Sequence, residues 1–593
     1  MGLSFLERGA VSEDIVNLNG VGTLNGDIVA TIPNKGIVNI TADTSSNGNF
    51  GIGGALSAVN ITGGTFTLNN NIEATTTTIN SGTTLTPGTS ASTITGALVN
   101  SGTLNIGSKH LAIAGNITGT GALAVTLSST ASGYIDNTTN TAGYTPGGAA
   151  TITPTLTTSI SSGTKYALIW GNTGNSPTLG STSAASQGLI SWAISDGRSY
   201  VGDTDINGHT IIAEDVIMIP TVRSVSSVSG VSSEAAAALD TVIAAARTSS
   251  QLESIAISLQ NLSTASEFVS AANQLRPEVN RSSIEGSTNA VAEALNAVSS
   301  RNDAIRRQSS RNSVIRGLRL WGQIFGHHGT QNQRQGVSGY AAKTLGVALG
   351  ADTRIAQQIQ GGVALSYASS VINAKGSNSG DNSGIDSYQT TLYGTYIGEP
   401  YYIDTSLSVA MHQYSTERQI SFTGFSDIAD SRYKGYQYTA KIDGGHPINT
   451  GLIIVTPTLG ASYSFLKQNS YTESSTNGSA LHLNQQTISS VKSSVGTKFT
   501  KTVETESFTY TPELDIAWTH EFKSDPLRTT ASYVAGGSSF TSTSVKPAKD
   551  ALIVGAGLTV IGADNLTIRG KYHAEFRESY LGHNGMIEAR LNF

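Results

Sequence analysis

The sequence contains no cysteine. That excludes disulfides and thiolate-bound metals, and it suits a chain that must be threaded through a pore, where a premature disulfide would jam. It is compatible with a reducing or an oxidising compartment. No apolar window of about 18 or more residues occurs, which excludes a transmembrane helix. A membrane itself is not excluded, because a spanning β-strand needs only about ten residues with every second one apolar. Charged residues are 13% and aromatics 7%, and the 65 glycines follow no three-residue period, so coiled-coil and collagen classes are ruled out. Lys+Arg 35 against Asp+Glu 41 leaves a net charge of −6, and no basic patch carries interleaved aromatics, so no nucleic-acid partner is expected. The N-terminus, Met1-Gly2-Leu3-Ser4-Phe5-Leu6-Glu7-Arg8, has no basic segment and no apolar run of about seven residues. As written the chain is therefore expected to carry no export signal and to be either cytoplasmic or the tail of a longer product. Its 593 residues leave room for about four domain-sized units.

Residues 14 to about 220 are rich in Gly, Asn, Ser and Thr. Gly64-Thr65-Phe66-Thr67-Leu68, Gly82-Thr83-Thr84-Leu85, Gly102-Thr103-Leu104-Asn105-Ile106 and Gly121-Ala122-Leu123-Ala124-Val125 each set a turn glycine before an alternating strand, with glycine steps of 18, 20 and 19 residues. This period predicts the coils of a parallel β-solenoid, with Leu, Ile and Phe stacked inside and Thr and Asn facing water. A disordered Gly/Thr/Asn linker is the alternative. The period is lost over 128–165, where a loop is expected. Lys165–Trp170 and Leu189–Ile194 resume strand character and are expected to cap the solenoid.

Residues 232–300 are Ala-rich with helical spacing. Leu252, Ile255, Ala256, Leu259 and Leu262 share a face; Ser263 and Thr264 offer an N-cap to the next helix, which Pro277 ends. Ile284 to about Arg316 reads as one further helix, with Val291, Ala294, Leu295 and Val298 on a stripe and a basic end in Arg301, Arg306, Arg307, Arg311 and Arg316.

From Arg319 to Phe593 the period is two. Twelve long strands are expected near 319–328, 340–352, 357–371, 385–398, 400–415, 434–446, 452–467, 485–501, 508–522, 548–561, 564–577 and 585–593. Short connections such as Gly398-Glu399-Pro400 alternate with long polar ones at 372–384, 416–433, 468–484 and 523–547. An even strand number with short turns at one end is the layout of an outer-membrane barrel. A soluble barrel would turn the apolar face inward, and alternation alone does not choose between the two. The chain ends in an alternating strand on which Gly585, Ile587, Ala589, Leu591 and the terminal Phe593 share a face. A terminal aromatic with no tail fits a signal read by an insertion machine.

Leu320-Trp321-Gly322-Gln323-Ile324-Phe325-Gly326, Gly339-Tyr340 and Gly346-Val347-Ala348-Leu349-Gly350-Ala351-Asp352 resemble the start of the autotransporter β-domain. Tyr510–Leu514 with Ala517–Phe522 resembles its ninth strand, Ala548–Ala551 with Val554–Leu558 its tenth, and Leu591-Asn592-Phe593 its end. Gln274-Leu275-Arg276-Pro277-Glu278 resembles the helical segment ahead of many such barrels. The Gly/Asn/Thr style is similar to rickettsial surface cell antigens. The resemblance implies type V secretion: a monomeric barrel in outer-membrane lipid, inserted by the barrel assembly machinery, with an upstream passenger at the cell surface that would meet a host-cell ligand. The basic helix would then sit in the pore, its arginines facing inward groups such as Asp404, Asp443, Glu513, Asp515, Glu575 and Glu588. Pairing is expected there, because an unpaired buried charge is costly.

The catalytic candidates are thin. Gly380-Asp381-Asn382-Ser383-Gly384 superficially resembles a serine-protease nucleophile loop, but its residue order is wrong. His327-His328 lacks a third ligand at zinc spacing, and neighbours on a strand point to opposite faces. Asn302-Asp303 offers cyclisation of a pore-helix Asn, as in autotransporters that cleave their passenger, although two polar helix residues is the plainer reading. The expected fold is all-β with a helical linker: a passenger remnant over 1–225, a linker and pore helix over 226–318, and a twelve-stranded antiparallel barrel over 319–593. No enzyme activity, cofactor or metal is called for. The expected function is translocation and anchoring of an adhesive passenger; the alternatives are a carrier for an upstream enzyme and a diffusion porin.

Overall fold

The computed structural model describes residues 3–5, 14–139, 143–146, 150–184, 189–309, 317–506, 508–562 and 566–591. They form two compact units, Met1–Val231 with Ala246–Phe268, and Ser232–Ala245 with Val269–Phe593.

The first unit is a parallel β-solenoid. One row of strands runs through Thr65–Leu68, Thr84–Pro87, Thr103–Gly107, Ala122–Leu127 and Thr151–Leu156. Phe66, Leu85, Leu104, Leu123 and Ile152 take equivalent places in it and stack down a buried interior. Outward positions carry ladders of amides: Asn60 donates to Asn39 at 3.0 Å and Asn39 to Asn17 at 2.9 Å. Each rung therefore satisfies the polar groups of its neighbour while the apolar side chains leave water. The loop expected over 128–165 is a correction. Thr151–Leu156 pairs in parallel with Ala122–Leu127, and Tyr134–Asp136 with His110–Ala112, so this coil is enlarged and not lost. Periodicity is counted along the chain, whereas stacking requires only that the strand return to its row. The expected cap strands are present. Val216–Val222, not foreseen, pairs antiparallel with both Tyr166–Trp170 and Ile190–Asp196 and ends the parallel ladder.

Four helices follow: α1 (Ser233–Ala245), α2 (Ser250–Asn261), α3 (Ala265–Gln274) and α4 (Ser282–Ser309). In α2 the stripe Leu252, Ile255, Ala256 and Leu259 is fully buried. Before α3, Thr264 Oγ1 accepts from Glu267 N at 3.3 Å and the Glu267 carboxylate accepts from Thr264 N at 3.1 Å, a capping box that satisfies two end donors.

The second unit holds a closed antiparallel barrel. Its strands are β1 (Arg319–Gln331), β2 (Tyr340–Ala356), β3 (Ile359–Ala374), β4 (Asn382–Ile397), β5 (Tyr402–Phe422), β6 (Phe425–Gly445), β7 (Ile454–Gln468), β8 (Gln486–Thr500), β9 (Phe508–Glu521), β10 (Asp550–Gly562), β11 (Leu566–Arg577) and β12 (Tyr580–Leu591). Each pairs with the next, and β12 closes on β1 from Gly322↔Ala589 to Gln331↔Tyr580. The twelve expected strands are all present. Leu320 is 71% exposed, Leu345 66% and Leu459 66%, while Gln323, Thr391 and Gln437 are each 2% exposed. The apolar face thus points outward and the polar face inward, the reverse of a soluble barrel.

Three long connections differ from expectation. The stretch 416–433 is no loop: β5 and β6 run on to Phe422 and Phe425 and join through Thr423-Gly424. The polar sequence there marks a hairpin in water, and hydropathy reads departure from lipid as loss of strand. The connections β7–β8 and β9–β10 together build a small sheet from Tyr471–Thr472, Leu481–Leu483, Arg528–Tyr533 and Phe540–Thr543. Helix α1 packs on that sheet: the Glu234 carboxylate accepts from Thr543 N at 2.9 Å. Gly537 makes the approach possible, with φ +95 and a place where a Cβ would stand 2.8 Å from Thr241 Cγ2.

Candidate functional site: the barrel lumen

The lumen is occupied by α4. Its 28 residues span about 42 Å, longer than the apolar band of about 25 Å on such barrels. The helix begins at the long-loop end. There Glu278 Oε1 accepts from Ser282 Oγ at 2.9 Å and Ser283 N at 3.1 Å, capping free N–H groups. The preceding turn is held by its carbonyls: Arg418 Nη1 donates to Gln274 O at 2.7 Å and Tyr533 Oη to Leu275 O at 2.8 Å. The Gln274–Glu278 motif is therefore a collar that starts the helix over the pore.

One face of α4 leans on the wall. Ala290, Ala294, Ala297 and Val298 pack against Trp321, Phe325, Ala348, Ala364 and Ala368; Val291 and Leu295 pack against Ala410. Small residues on both sides allow the close approach; a Cβ on Gly286 would stand 2.6 Å from Ile372 Cδ1. The rings of Trp321 and Phe325 sit where a Cβ on Gly350 or Gly346 would be, about 2.5 and 2.4 Å away, so only glycine leaves room for them. Gly346 and Gly350 of β2 thereby acquire a reason. Trp321 Nε1 donates to Tyr393 Oη at 2.6 Å, and Tyr393 Oη donates to Asp352 Oδ2 at 3.1 Å.

Charge takes over past this stripe: Arg301 continues the line of Ala290, Ala294 and Ala297, while Asp303, Arg306 and Arg307 leave on the opposite face. Arg301, fully buried, grips Asp352 through Nε at 2.6 Å and Nη2 at 3.0 Å. Asp352 also meets Arg319 at 2.8 Å. Arg306 pairs with Asp404 at 2.5 Å and with Asp303, and its guanidinium lies 3.6 Å over the Tyr402 ring. Arg307 reaches Glu513 at 3.5 Å. Charge also runs the other way. Asp303 of the helix is met by Lys498 and by Arg569 at 3.3 Å, and Glu285 by Arg577 at 3.2 Å. Arg569 in turn holds Glu513 at 2.6 Å. Bidentate, charge-assisted contacts of this kind fix geometry as well as energy.

Of the acids expected to face the arginines, Asp404 and Glu513 do so. Asp443 pairs with Lys441 at 2.8 Å, Asp515 with Lys571 at 3.0 Å and His573 at 3.3 Å, and Glu575 with Arg577 at 3.1 Å; Glu588 is buried at the wall. Asp352 was not expected as a partner of the arginines, although it stands on the inward phase of β2 after Thr344, Gly346, Ala348 and Gly350, as the one acid in a row of small residues. Arg311, Arg316 and Phe593 lie outside the described residues, as does the Leu591 side chain. On β12, Ile587 is 64% exposed and Glu588 3%, as alternation requires. Asn302 is buried within the lumen beside Asp303 and its three cations.

His327 and His328 face opposite ways. His327 is buried, with Asn289 Nδ2 at 3.2 Å and Tyr580 Oη at 3.0 Å from Nε2, whereas His328 is outward and stacks on His583. Among the described residues no group of three or more metal-ligating side chains gathers. Asp381 of the Gly380–Gly384 segment is pushed up to about 6 by burial and accepts from Gln419 N at 2.7 Å. It pins a loop to the β5–β6 hairpin.

A lipid-facing antiparallel barrel whose lumen is filled by a helix of its own chain, ion-paired to the wall at several levels, defines a plugged outer-membrane barrel. Residues 320–573 match the autotransporter beta-domain family, which makes this part of the chain a barrel of the bacterial outer membrane. The chain is similar to outer membrane protein A of Rickettsia rickettsii, 25% identical over 285 residues, 46% of this chain and 12% of that protein. It is similar to outer membrane protein B of Rickettsia japonica, 22% identical over 282 residues, 46% of this chain and 17% of that one. It is also similar to an extracellular serine protease of Serratia marcescens, 21% identical over 240 residues, 40% of this chain and 23% of that protein. The chain thus spans less than a quarter of these relatives' length. Among solved structures it is similar to the translocator domain of autotransporter NalP from Neisseria meningitidis, with TM-score 0.40 and 15% identity over 52% of this chain and 99% of that chain.

The outward face of β12 gives a direct test. Ile587→Arg is expected to cost roughly 2–4 kcal/mol if it lies near the bilayer midplane, and Ile587→Leu less than about 1.5 kcal/mol. Urea unfolding in lipid vesicles reads both; equal midpoints would place this face away from lipid.

Proposed function

We propose that the chain translocates and anchors an adhesive passenger, with the solenoid as its presenting surface. The observation that supports adhesion is the outward amide ladder of the solenoid. Asn17, Asn39 and Asn60 form one column, and Asn25, Asn47 and Asn69 another, with links of 2.7–3.0 Å. A rigid polar lattice repeated coil after coil suits multivalent contact with a cell surface, where linked weak contacts add avidity. The relatives named outer membrane proteins A and B agree with a surface role. The helix that fills the lumen argues against a diffusion porin. The final strand is proposed as the signal read by the barrel assembly machinery, through Ile587, Ala589, Leu591 and Phe593.

The test is display of the chain, with a supplied signal peptide, on a non-adherent Gram-negative host. Binding to cultured host cells is expected for the intact chain and lost when residues 14–231 are removed with the barrel yield unchanged. Equal binding by both would overturn the adhesive reading. In the same system, deletion of Phe593 is expected to lower outer-membrane yield more than it lowers folding in detergent. Parallel losses in both would overturn the signal reading.

A further inference from the structure

The outer wall carries a group of residues that neither translocation nor the lumen uses. Where β12 closes on β1, outward glycines leave a shallow dent of about 620 Å³ in the apolar wall, edged by Ile324, Leu345, Leu558, Tyr572 and Ile587. Gly326, Gly570 and Gly585 form its floor, with Gly326 and Gly585 directly opposed across the seam. Nothing in the fold requires glycine at these places. None of the three has a positive φ, a Cβ at Gly570 or Gly585 would meet no atom within 4 Å, and one at Gly326 would meet none nearer than 3.6 Å. Glycine weakens a strand, and in a strand interior it often marks the close approach of another group.

Directly above the dent, two residues nearer the long-loop end on three neighbouring strands, stand Lys343, His328 and His583. The register sets His328 opposite Lys343 on one side and opposite His583 on the other. The two imidazoles stack with centroids 6.5 Å apart, and Tyr572 Oη lies 2.6 Å from His583 Nδ1. Lys343 is exposed and has no ion pair among the described residues. Asp386, an outward acid two strands away, is occupied by Tyr367 Oη at 2.8 Å.

We propose that this corner of the wall is a seat for an anionic outer-leaflet lipid, with its phosphate on Lys343 and the His328–His583 pair and an acyl chain in the glycine-floored dent. The end of the barrel that carries the long loops faces the outer leaflet. A lysine ammonium is a compact charge suited to a phosphate, and basic groups at the membrane surface bind lipid head groups. The glycines let the chain lie against the backbone, which a side chain would prevent.

The experiment uses the full chain in phosphatidylcholine nanodiscs doped with bisphosphorylated lipid A, and native mass spectrometry after release. One lipid A is expected to stay on the wild-type protein, and phosphatidylcholine is not. Retention is expected to fall at least tenfold in K343Q/H328Q and likewise in G570L/G585L, with heat-modifiable gel mobility confirming that each variant is folded. Inorganic phosphate alone is expected not to bind. Equal retention in all variants would reduce the lipid to an unspecific annulus and overturn the proposal. So would loss in the head-group pair alone, which would be surface charge without a seat. Folded glycine variants that keep lipid A would show that the dent seats no acyl chain and overturn it too.

Discussion

Asp352→Ala is expected to destabilise the barrel by about 3–5 kcal/mol, because it leaves a buried guanidinium without its counter-charge. Arg301 and Asp352 are both fully buried, their contact is bidentate at 2.6 and 3.0 Å, and Asp352 also holds Arg319 and Tyr393. One substitution therefore strips partners from three groups. Arg301→Met combined with Asp352→Asn is expected to recover much of the loss, since the methionine carries no charge and the amide oxygen can still accept from Arg319. Urea unfolding in detergent reads the series. A loss below about 1 kcal/mol for Asp352→Ala would show that the pair behaves as an exposed one.

Removing α4 is expected to have the largest effect on permeability. A chain of residues 282–593 keeps the helix, and one of residues 317–593 lacks it. The shorter chain is expected to conduct at least several-fold more in planar bilayers and to unfold roughly 10 °C lower or more, as the loss of several kcal/mol would give for a domain of this size. Two losses combine in it. The apolar stripe of α4 no longer covers Trp321 and Phe325, and Asp352, Asp404 and Glu513 lose Arg301, Arg306 and Arg307. Unchanged conductance would place the helix outside the lumen.

Much of this molecule is written in local pattern. Alternation of Leu566-to-Phe576 type gives long strands, because side chains leave a strand on opposite faces. Glycine-spaced rungs give the solenoid, and the i, i+3, i+4 stripe with Pro277 places the helices. Family resemblance rests on the same local runs, Leu320–Gly326 above all. What local pattern misread was polarity beyond the lipid. The hairpin that turns at Thr423-Gly424 and the small sheet built from two connections both look like loops, since hydropathy registers water and not strand pairing.

The sequence by itself determined the helices, the twelve barrel strands and the charged end of α4, all of which follow from spacing within a few residues. Only the tertiary structure decided which face of the alternating strands meets lipid, because both choices share one pattern. It also decided the partners of the arginines. Arg301 and Asp352 lie 51 residues apart and Arg307 and Glu513 lie 206 apart. Ring closure and helix insertion bring them together, and a charge on the inward phase has no mate until the wall opposite has been built.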